Sequence, residues 1–104
     1  MPAQKVRRVT IYVNEADAWH GKPVHLEILR FLQKEGCAGG TVLRGLAGFT
    51  KAGVVTTSLV DTGGKLPLVV EYIDSAQTVE RVLPRLREMV GNRLIVLEDL
   101  ELYP

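Results

Sequence analysis

Hydrophobic and polar side chains alternate near the start of the chain, and this spacing predicts a strand. Val9, Ile11 and Val13 alternate with polar or amphipathic neighbours, which is the period of a half-buried strand. Pro23 then suits the first turn of a helix, where its missing N–H costs nothing. Apolar residues follow at helical spacing, and Gly36 provides a stop signal: Val24, Ile28, Phe31 and Leu32.

Two further strands are predicted at 41–46 and 66–73. The segment between them, from Leu46 to Lys65, is rich in Gly, Thr, Ser and Lys. It is longer than an ordinary hairpin connection, and long connections are often functional or mobile. The segment therefore becomes a candidate for function.

A second amphipathic helix and a last strand complete the pattern. Asp74, with Gln77 three residues later, resembles a capping box at the start of this helix. Pro84 lies inside it and predicts a kink, because it removes one backbone hydrogen bond. Gly91 predicts its end. Alternating apolar positions then mark the strand: Leu94, Val96, Leu100 and Leu102.

The resulting order, βαββαβ, predicts an α+β fold: a ferredoxin-like antiparallel sheet with both helices on one face. We expect all 104 residues to form one domain, 1–104. In this topology the first and last strands pair antiparallel. Arg7 and Arg8 are then expected near Asp99 and Glu101, as cross-strand charge pairs rather than nucleic-acid contacts.

Two of the predicted strands are apolar on both faces. In the third strand, Leu68 and Val70 lie on one side while Val69 and Ile73 lie on the other. A sheet buried on only one face shows cleaner alternation than this. The last strand repeats the feature through Ile95 and Leu97 on its second face. An exposed apolar surface of this kind marks a partner interface, and we expect a homo-oligomer.

Composition and charge exclude several classes of function. The apolar share is 46%, the charged share 24% and the net charge +1, so no overall field favours nucleic acid or acidic membranes. No apolar run approaches the length of a membrane span, and the N-terminus lacks the apolar stretch of a signal peptide. The expected location is the cytoplasm, without direct membrane insertion.

The chain offers little for catalysis or metal binding. Cys37 is the only cysteine, and it follows a predicted helix end with no histidine close in sequence. His20 and His25 lack metal-ligand spacing with a carboxylate. Glu15 and His20 are the only candidates for an acid or base in a cleft. We expect no enzyme, no metal site and no cofactor.

The topology brings three connections to one end of the molecule: the first strand-to-helix loop, the segment 46–65 and the turn before the last strand. The first helix also begins there, with free N–H groups. Cations from these elements, glycines that allow close approach, and the flat side chains Trp19 and Phe49 would suit a nucleotide or another anion. The cations are Lys22, Arg44, Lys51 and Arg93.

Four stretches resemble a small prokaryotic family, domain of unknown function 190, whose PII-like members are related in fold to the nitrogen-regulatory PII signal proteins. They are "GKP", "AGGTVLRGLAGF", "LPLVVEYIDS" and "LPRLREMV", and the resemblance runs from Val9 to Leu102. It implies a trimer with the open sheet faces turned inward. It also implies that segment 46–65 corresponds to the T-loop through which PII proteins contact their targets.

PII proteins bind adenine nucleotides in clefts between subunits, at the base of that loop. By this resemblance, the residues expected to line the cleft are Arg44, Gly45, Gly48, Phe49 and Lys51. Lys22 and Arg93 join them on the topology argument alone.

The chain departs from the PII pattern at three places. Where PII proteins carry a glycine-rich phosphate-gripping segment before the last strand, this chain reads "EMVGNRL", which favours a smaller ligand such as AMP over ATP. No tyrosine lies between Thr41 and Lys65 to match the modified T-loop tyrosine. Thr56 occupies the place where relatives often have histidine.

The residue pattern and the family resemblance together predict a cytoplasmic PII-like regulatory protein that binds a small anionic ligand, AMP first; that it is a trimer is implied by the resemblance. The ligand would order the loop for an unidentified target protein. The alternative is an adaptor that regulates a transporter or channel by protein contact alone, without a ligand. An enzyme on a ferredoxin-like sheet and a trimeric metal-tolerance protein are the other classes considered.

Overall fold

A computed structural model describes residues 3–56 and 65–104 of the chain. Its two helices are α1 (Val24–Lys34) and α2 (Ala76–Val90). Its strands are β1 (Gln4–Asn14), β2 (Ala18–Trp19), β3 (Lys22–Pro23), β4 (Thr41–Arg44), β5 (Ala47–Thr50), β6 (Gly53–Thr56), β7 (Pro67–Asp74) and β8 (Ile95–Leu102).

The main sheet has four strands in the order β4-β7-β1-β8, and every neighbouring pair is antiparallel. With α1 and α2 placed between these strands in the chain, this is the predicted ferredoxin-like βαββαβ topology. Val9 lies at the centre, opposite Tyr72 on β7 and Leu97 on β8.

The hydrophobic core fills the space between one sheet face and the two helices. Val9, Ile11 and Val13 of β1 point into it, as their alternation predicts. The other members come from β7, α1 and α2: Leu68, Val70, Tyr72, Val24, Ile28, Leu32, Val79, Val82, Leu86, Met89 and Val90. Amphipathic helices are stabilised mainly by such packing, so the apolar spacing located both helices correctly.

The second helix begins one residue later than the capping-box pattern implies. Ser75, not Asp74, is the N-cap, and its Oγ accepts the Thr78 N–H at 3.2 Å. Asp74 is still the last residue of β7, opposite Arg7, and its carboxylate accepts the Ser75 N–H at 2.8 Å. The helix continues through Pro84 to Gly91, which has φ 64° and ends it as predicted.

Cross-strand ion pairs join β1 to β8, although one predicted partner is wrong. Arg7 Nε donates to Asp99 at 2.9 Å, as expected. Arg8 pairs with Glu98 at 3.0 Å instead of Glu101. The register sets Glu98 directly opposite Arg8, whereas Glu101 lies opposite Lys5 at the far end of the strand pair.

The open face of the sheet carries apolar side chains, as the two-sided pattern of β7 predicts. In β8 the predicted faces are reversed, because Ile95 and Leu97 lie opposite the core residues Ile11 and Val9, and Val96 lies on the open face. Tyr12 on β1 and Leu43 on β4 flank Val69 of β7 in the register. Tyr12 is 47% and Leu43 56% exposed. Ile73 extends the same surface along β7, and Val96 extends it to β8. We call this surface, formed by Tyr12, Leu43, Val69, Ile73 and Val96, the open apolar face.

Residues 47–56 of the segment 46–65 form a hairpin. The strand predicted at 41–46 ends at Arg44, and β5 then pairs with β6 around a turn at Lys51 and Ala52. Part of the predicted loop, 57–64, lies outside the described residues. The strand predicted at 66–73 runs one residue later, as Pro67–Asp74.

Replacing Tyr72 by Phe is expected to leave stability unchanged or to raise it by about 1 kcal/mol. Tyr72 is 2% exposed, and its hydroxyl finds no hydrogen-bond partner among residues 3–56 and 65–104. The substitution removes only this unsatisfied group and keeps the ring in the core. Chemical denaturation of both proteins measures the difference, and a clear loss of stability in Tyr72→Phe would show that the hydroxyl is hydrogen-bonded after all.

Candidate functional site

The polar loop between β1 and β2 brings together several predicted site residues. It follows β1, which contributes Val9, Ile11 and Val13 to the core, and carries the sequence "NEAD" at Asn14 to Asp17. Asn14 Oδ1 accepts the Ala16 N–H at 2.9 Å, and Asp17 Oδ2 accepts the Asn14 N–H at 2.8 Å. These bonds fix the loop backbone and direct the two acidic side chains of the loop to neighbouring elements.

Arg44, at the end of β4, is bound by the first of these acids. Its Nη2 lies 3.0 Å from Glu15 Oε1 and 2.8 Å from Oε2. The Leu66 N–H also donates to Oε1, at 3.1 Å. The hydrogen bond from Arg44 is the chief cause of the lowered pKa of Glu15, while partial burial opposes it and the Leu66 N–H and the Arg44 charge lower it further. Glu15 is therefore a carboxylate at neutral pH.

Arg93, in the turn before β8, is bound by the second acid. Its Nη2 lies 2.6 Å from Asp17 Oδ1, and its Nη1 donates to the Val90 carbonyl at 3.1 Å. Arg87 donates to the carbonyls of Gly91 and Arg93 and so holds the same turn. Arg44 and Arg93 thus meet one loop through acids two residues apart, at the end of the sheet where the topology predicts them.

The two glycines predicted to line the cleft approach a proline. The Gly45 N–H donates to the Pro67 carbonyl at 2.8 Å. A Cβ at Gly45 would lie 2.8 Å from Pro67 Cγ, and one at Gly48 would lie 3.0 Å from the same atom. In this structure the missing side chains serve the packing of β4 and β5 against the start of β7.

The other three residues predicted for the site make no described contact with the two arginines. Lys22 is exposed on β3, opposite Trp19. Phe49 is opposite Val54 in the hairpin and is 83% exposed. Lys51 is at the hairpin turn. Among the described contacts, none joins these three side chains to Arg44 or Arg93.

Trp19 belongs to the helix layer. Its ring stacks on His20, with centroids 4.1 Å apart, and packs against the core. His20 occupies a tight turn with φ 50°, followed by Gly21 at φ 78°. Trp19 also borders a groove between the helices with Phe31 and Met89. Its flat surface is thus largely committed to packing.

The candidate catalytic residues are held by packing and hydrogen bonds that serve the fold. Burial raises the pKa of the Cys37 thiol, whereas a nucleophilic thiol needs a lowered pKa. Glu15 is held by Arg44 and Leu66. Within the described parts of the chain, no group of His, Cys, Asp and Glu side chains could hold a metal ion. Across the same residues, no helix has the length and apolar character needed to span a membrane.

Sequence reasoning missed the partners of the arginines. The sequence did not indicate Asp17 as a partner, and it indicated Glu15 only as a candidate acid in a cleft. It also gave no sign that Gly45 and Gly48 meet Pro67. The available signal was the polar run directly after an apolar strand, because such a run begins a loop at the end of the sheet. Which acid meets which arginine depends on the loop conformation, which the sequence pattern does not specify.

The architecture is that of PII-like proteins. A PII-like signalling protein from Thermus thermophilus matches with a TM-score of 0.69 at 19% identity, over 98% of this chain and 93% of its own. CPII, a nitrogen regulatory PII-like protein from Thiomonas intermedia K12 bound to ADP, AMP and bicarbonate, matches with a TM-score of 0.67 at 14% identity, over 97% and 91%. At these identities the likeness concerns the fold.

The chain itself belongs to the DUF190 family, described as an uncharacterized ACR, whose sequence profile matches residues 6–102. A UPF0166 protein of Methanocaldococcus jannaschii is 32% identical over 95% of this chain and 93% of its own length. A UPF0166 protein of Aquifex aeolicus is 32% identical over 97% and 96%. The family resemblance found in the sequence is confirmed.

Proposed function

We propose that this chain is a PII-like regulatory protein that binds an adenine nucleotide, AMP first, at the base of the segment 46–65. Three copies assemble through the open apolar face, and the ligand lies in the cleft between two subunits. Binding orders the loop, which a target protein then reads. The observation that carries this proposal is that Arg44 and Arg93 both contact the loop between β1 and β2, through Glu15 and Asp17, within a PII-like fold.

The two arginines of the candidate site favour an anionic ligand. The Arg44 side chain is 59% exposed even while it contacts Glu15, so solvent reaches it. Guanidinium groups bind phosphate oxygens in a fixed fork geometry. The departure at "EMVGNRL" leaves Arg93 as the cation of the last turn, which suits one phosphate better than three. The AMP bound to CPII makes AMP a reasonable first probe.

The first test is thermal stabilisation of the purified chain by AMP, ADP, ATP, cyclic nucleotides, bicarbonate and phosphate. A ligand that binds only the folded state raises the melting temperature with concentration. We expect a selective rise with AMP. If none of these compounds raises the melting temperature, the ligand-binding proposal is wrong.

Arg44→Ala is expected to abolish the AMP-induced protection of the loop from amide hydrogen exchange while the assembly persists. The substitution removes the cation nearest the loop's departure, and the matched control is Arg85→Ala, which removes an exposed arginine of α2 paired with Glu88 at 3.5 Å. Hydrogen exchange with and without AMP measures the effect. Protection that survives in Arg44→Ala would show that Arg44 is not a ligand contact.

The adaptor without a ligand remains the second candidate, and the loop surface favours it. Leu46, Phe49 and Val54 are all more than 70% exposed, at 77%, 83% and 73%. Exposed apolar side chains grouped on one segment suit a protein partner. Absence of any ligand-induced stabilisation, together with loss of target binding in Phe49→Ala, would favour this candidate.

A further inference from the structure

One carboxylate joins both ends of the candidate signalling loop. Arg44 lies just before the segment 46–65 and Leu66 just after it, and Glu15 contacts both. Arg44 Nη2 donates to this carboxylate, and the Leu66 N–H donates to its Oε1 at 3.1 Å. The Glu15 N–H in turn donates to the Leu66 carbonyl at 3.0 Å. The base of the loop is therefore already closed by an anion that belongs to the protein.

The contact has the chemistry that an anionic ligand would need. A carboxylate on an arginine forms a charge-assisted hydrogen bond, as a phosphate oxygen does. The Glu15 side chain is 20% exposed, against 59% for Arg44, so solvent reaches the arginine more readily than the acid. A ligand arriving from solvent would find the guanidinium accessible but partly neutralised.

We propose that Glu15 is an internal competitor for the anion site at Arg44, so that a phosphate-bearing ligand binds by taking the place of the Glu15 carboxylate on the guanidinium. The loop base is then held by the carboxylate in the free protein and by the phosphate in the bound one. This inference rests on the proposed function, because it takes Arg44 as the ligand contact. In this mechanism the ligand does not neutralise a free Arg44. Its phosphate replaces the Glu15 carboxylate on the guanidinium, so the strength of the Glu15–Arg44 contact sets the affinity for the ligand.

The test is isothermal titration of AMP and of inorganic phosphate into the full chain and two variants. Glu15→Gln keeps the size of the side chain but removes the competing charge, and we expect it to bind AMP about tenfold more tightly than the unmodified protein. The control is Glu35→Gln, which makes the same change in a Glu–Arg pair elsewhere, where Arg81 Nη1 lies 2.8 Å from Glu35. Its affinity should equal that of the unmodified chain.

Hydrogen exchange at Leu66 gives a readout that needs no ligand. In the free protein, Glu15→Gln should speed exchange of the Leu66 amide, because a neutral amide oxygen accepts this bond more weakly. Should Glu15→Gln fail to fold, Glu15→Asp replaces it. The Asp side chain is one methylene shorter, so its carboxylate lies further from Arg44. We expect AMP to bind this variant more tightly than the unmodified protein, but by a smaller factor than it binds Glu15→Gln.

The outcomes separate the competition from the proposed function. Equal or weaker AMP binding by Glu15→Gln, with binding by the unmodified chain intact, overturns the competition and leaves the function standing, because Glu15 then positions Arg44. Binding by Glu15→Gln alone supports the competition and overturns AMP as a ligand of the unmodified chain. Absence of AMP and phosphate binding in both proteins overturns both.

Discussion

Val69→Glu is expected to convert the proposed trimer into monomers. Val69 lies on β7 between Tyr12 and Leu43 in the register, at the middle of the open apolar face. If this face is buried between copies, the substitution places a charge without a partner in an apolar contact, which is strongly unfavourable. Sedimentation or light scattering should show the mass fall from three times the 11.5 kDa of one chain to one.

The matched control is Leu26→Glu. Leu26 is an apolar residue of α1 that is 39% exposed on the helix layer, so the same kind of change is made away from the open apolar face. It should leave the mass unchanged. Circular dichroism of both variants tests whether the fold is kept. A folded Val69→Glu protein with the mass of the unmodified one would show that the assembly uses another surface.

The fold could be predicted from the sequence because hydrophobic spacing reports burial directly. Val9, Ile11 and Val13 have the period of a strand and are buried, and the helical spacing that follows Pro23 corresponds to α1. The two-sided apolar pattern of β7 also predicted the open apolar face. Such patterns reflect which side of an element meets the core, and they survive errors of one or two residues at an element's ends.

Contacts that depend on register or turn geometry were harder to predict. Glu98 and Glu101 are both plausible partners for Arg8 in the sequence, and only the pairing of β1 with β8 sets Glu98 opposite. The hairpin formed by β5 and β6 was missed because short strands with glycine and lysine lack a clear alternation. Its turn requires Gly53, whose φ is 135°.

For the candidate site, the sequence predicted a common end of the molecule but no contacts. Topology predicted Arg44 and Arg93 at that end, and both contact the loop between β1 and β2; their role as ligand contacts stays a prediction. The sequence did not indicate that Glu15 and Asp17 already bind them, since an acid distant in sequence from its arginine looks like any surface charge. Gly45 and Gly48 were assigned to ligand approach. Their structural role is the close contact with Pro67, a residue that is also distant in sequence.

Gly45→Ala is expected to lower the free energy of unfolding by about 1–3 kcal/mol. The new Cβ would lie 2.8 Å from Pro67 Cγ and 3.3 Å from the Pro67 carbonyl oxygen. Backbone must therefore move, because the Gly45 N–H is bonded to that same carbonyl. Since Arg44 is the preceding residue, the displacement should also weaken AMP binding. Chemical denaturation measures the first effect and titration the second.

Gly39→Ala is the control for Gly45→Ala, because a Cβ at Gly39 meets nothing within 4 Å among the described residues, and the change should alter stability by less than about 0.5 kcal/mol. Pro67→Ala supplies the converse test. It removes the Cγ that the new methyl group strikes, so the double variant should be more stable than the sum of the two single effects predicts, by at least about 0.5 kcal/mol. If Gly45→Ala is no more costly than Gly39→Ala, the contact with Pro67 does not require glycine, and a ligand becomes the better reason for it.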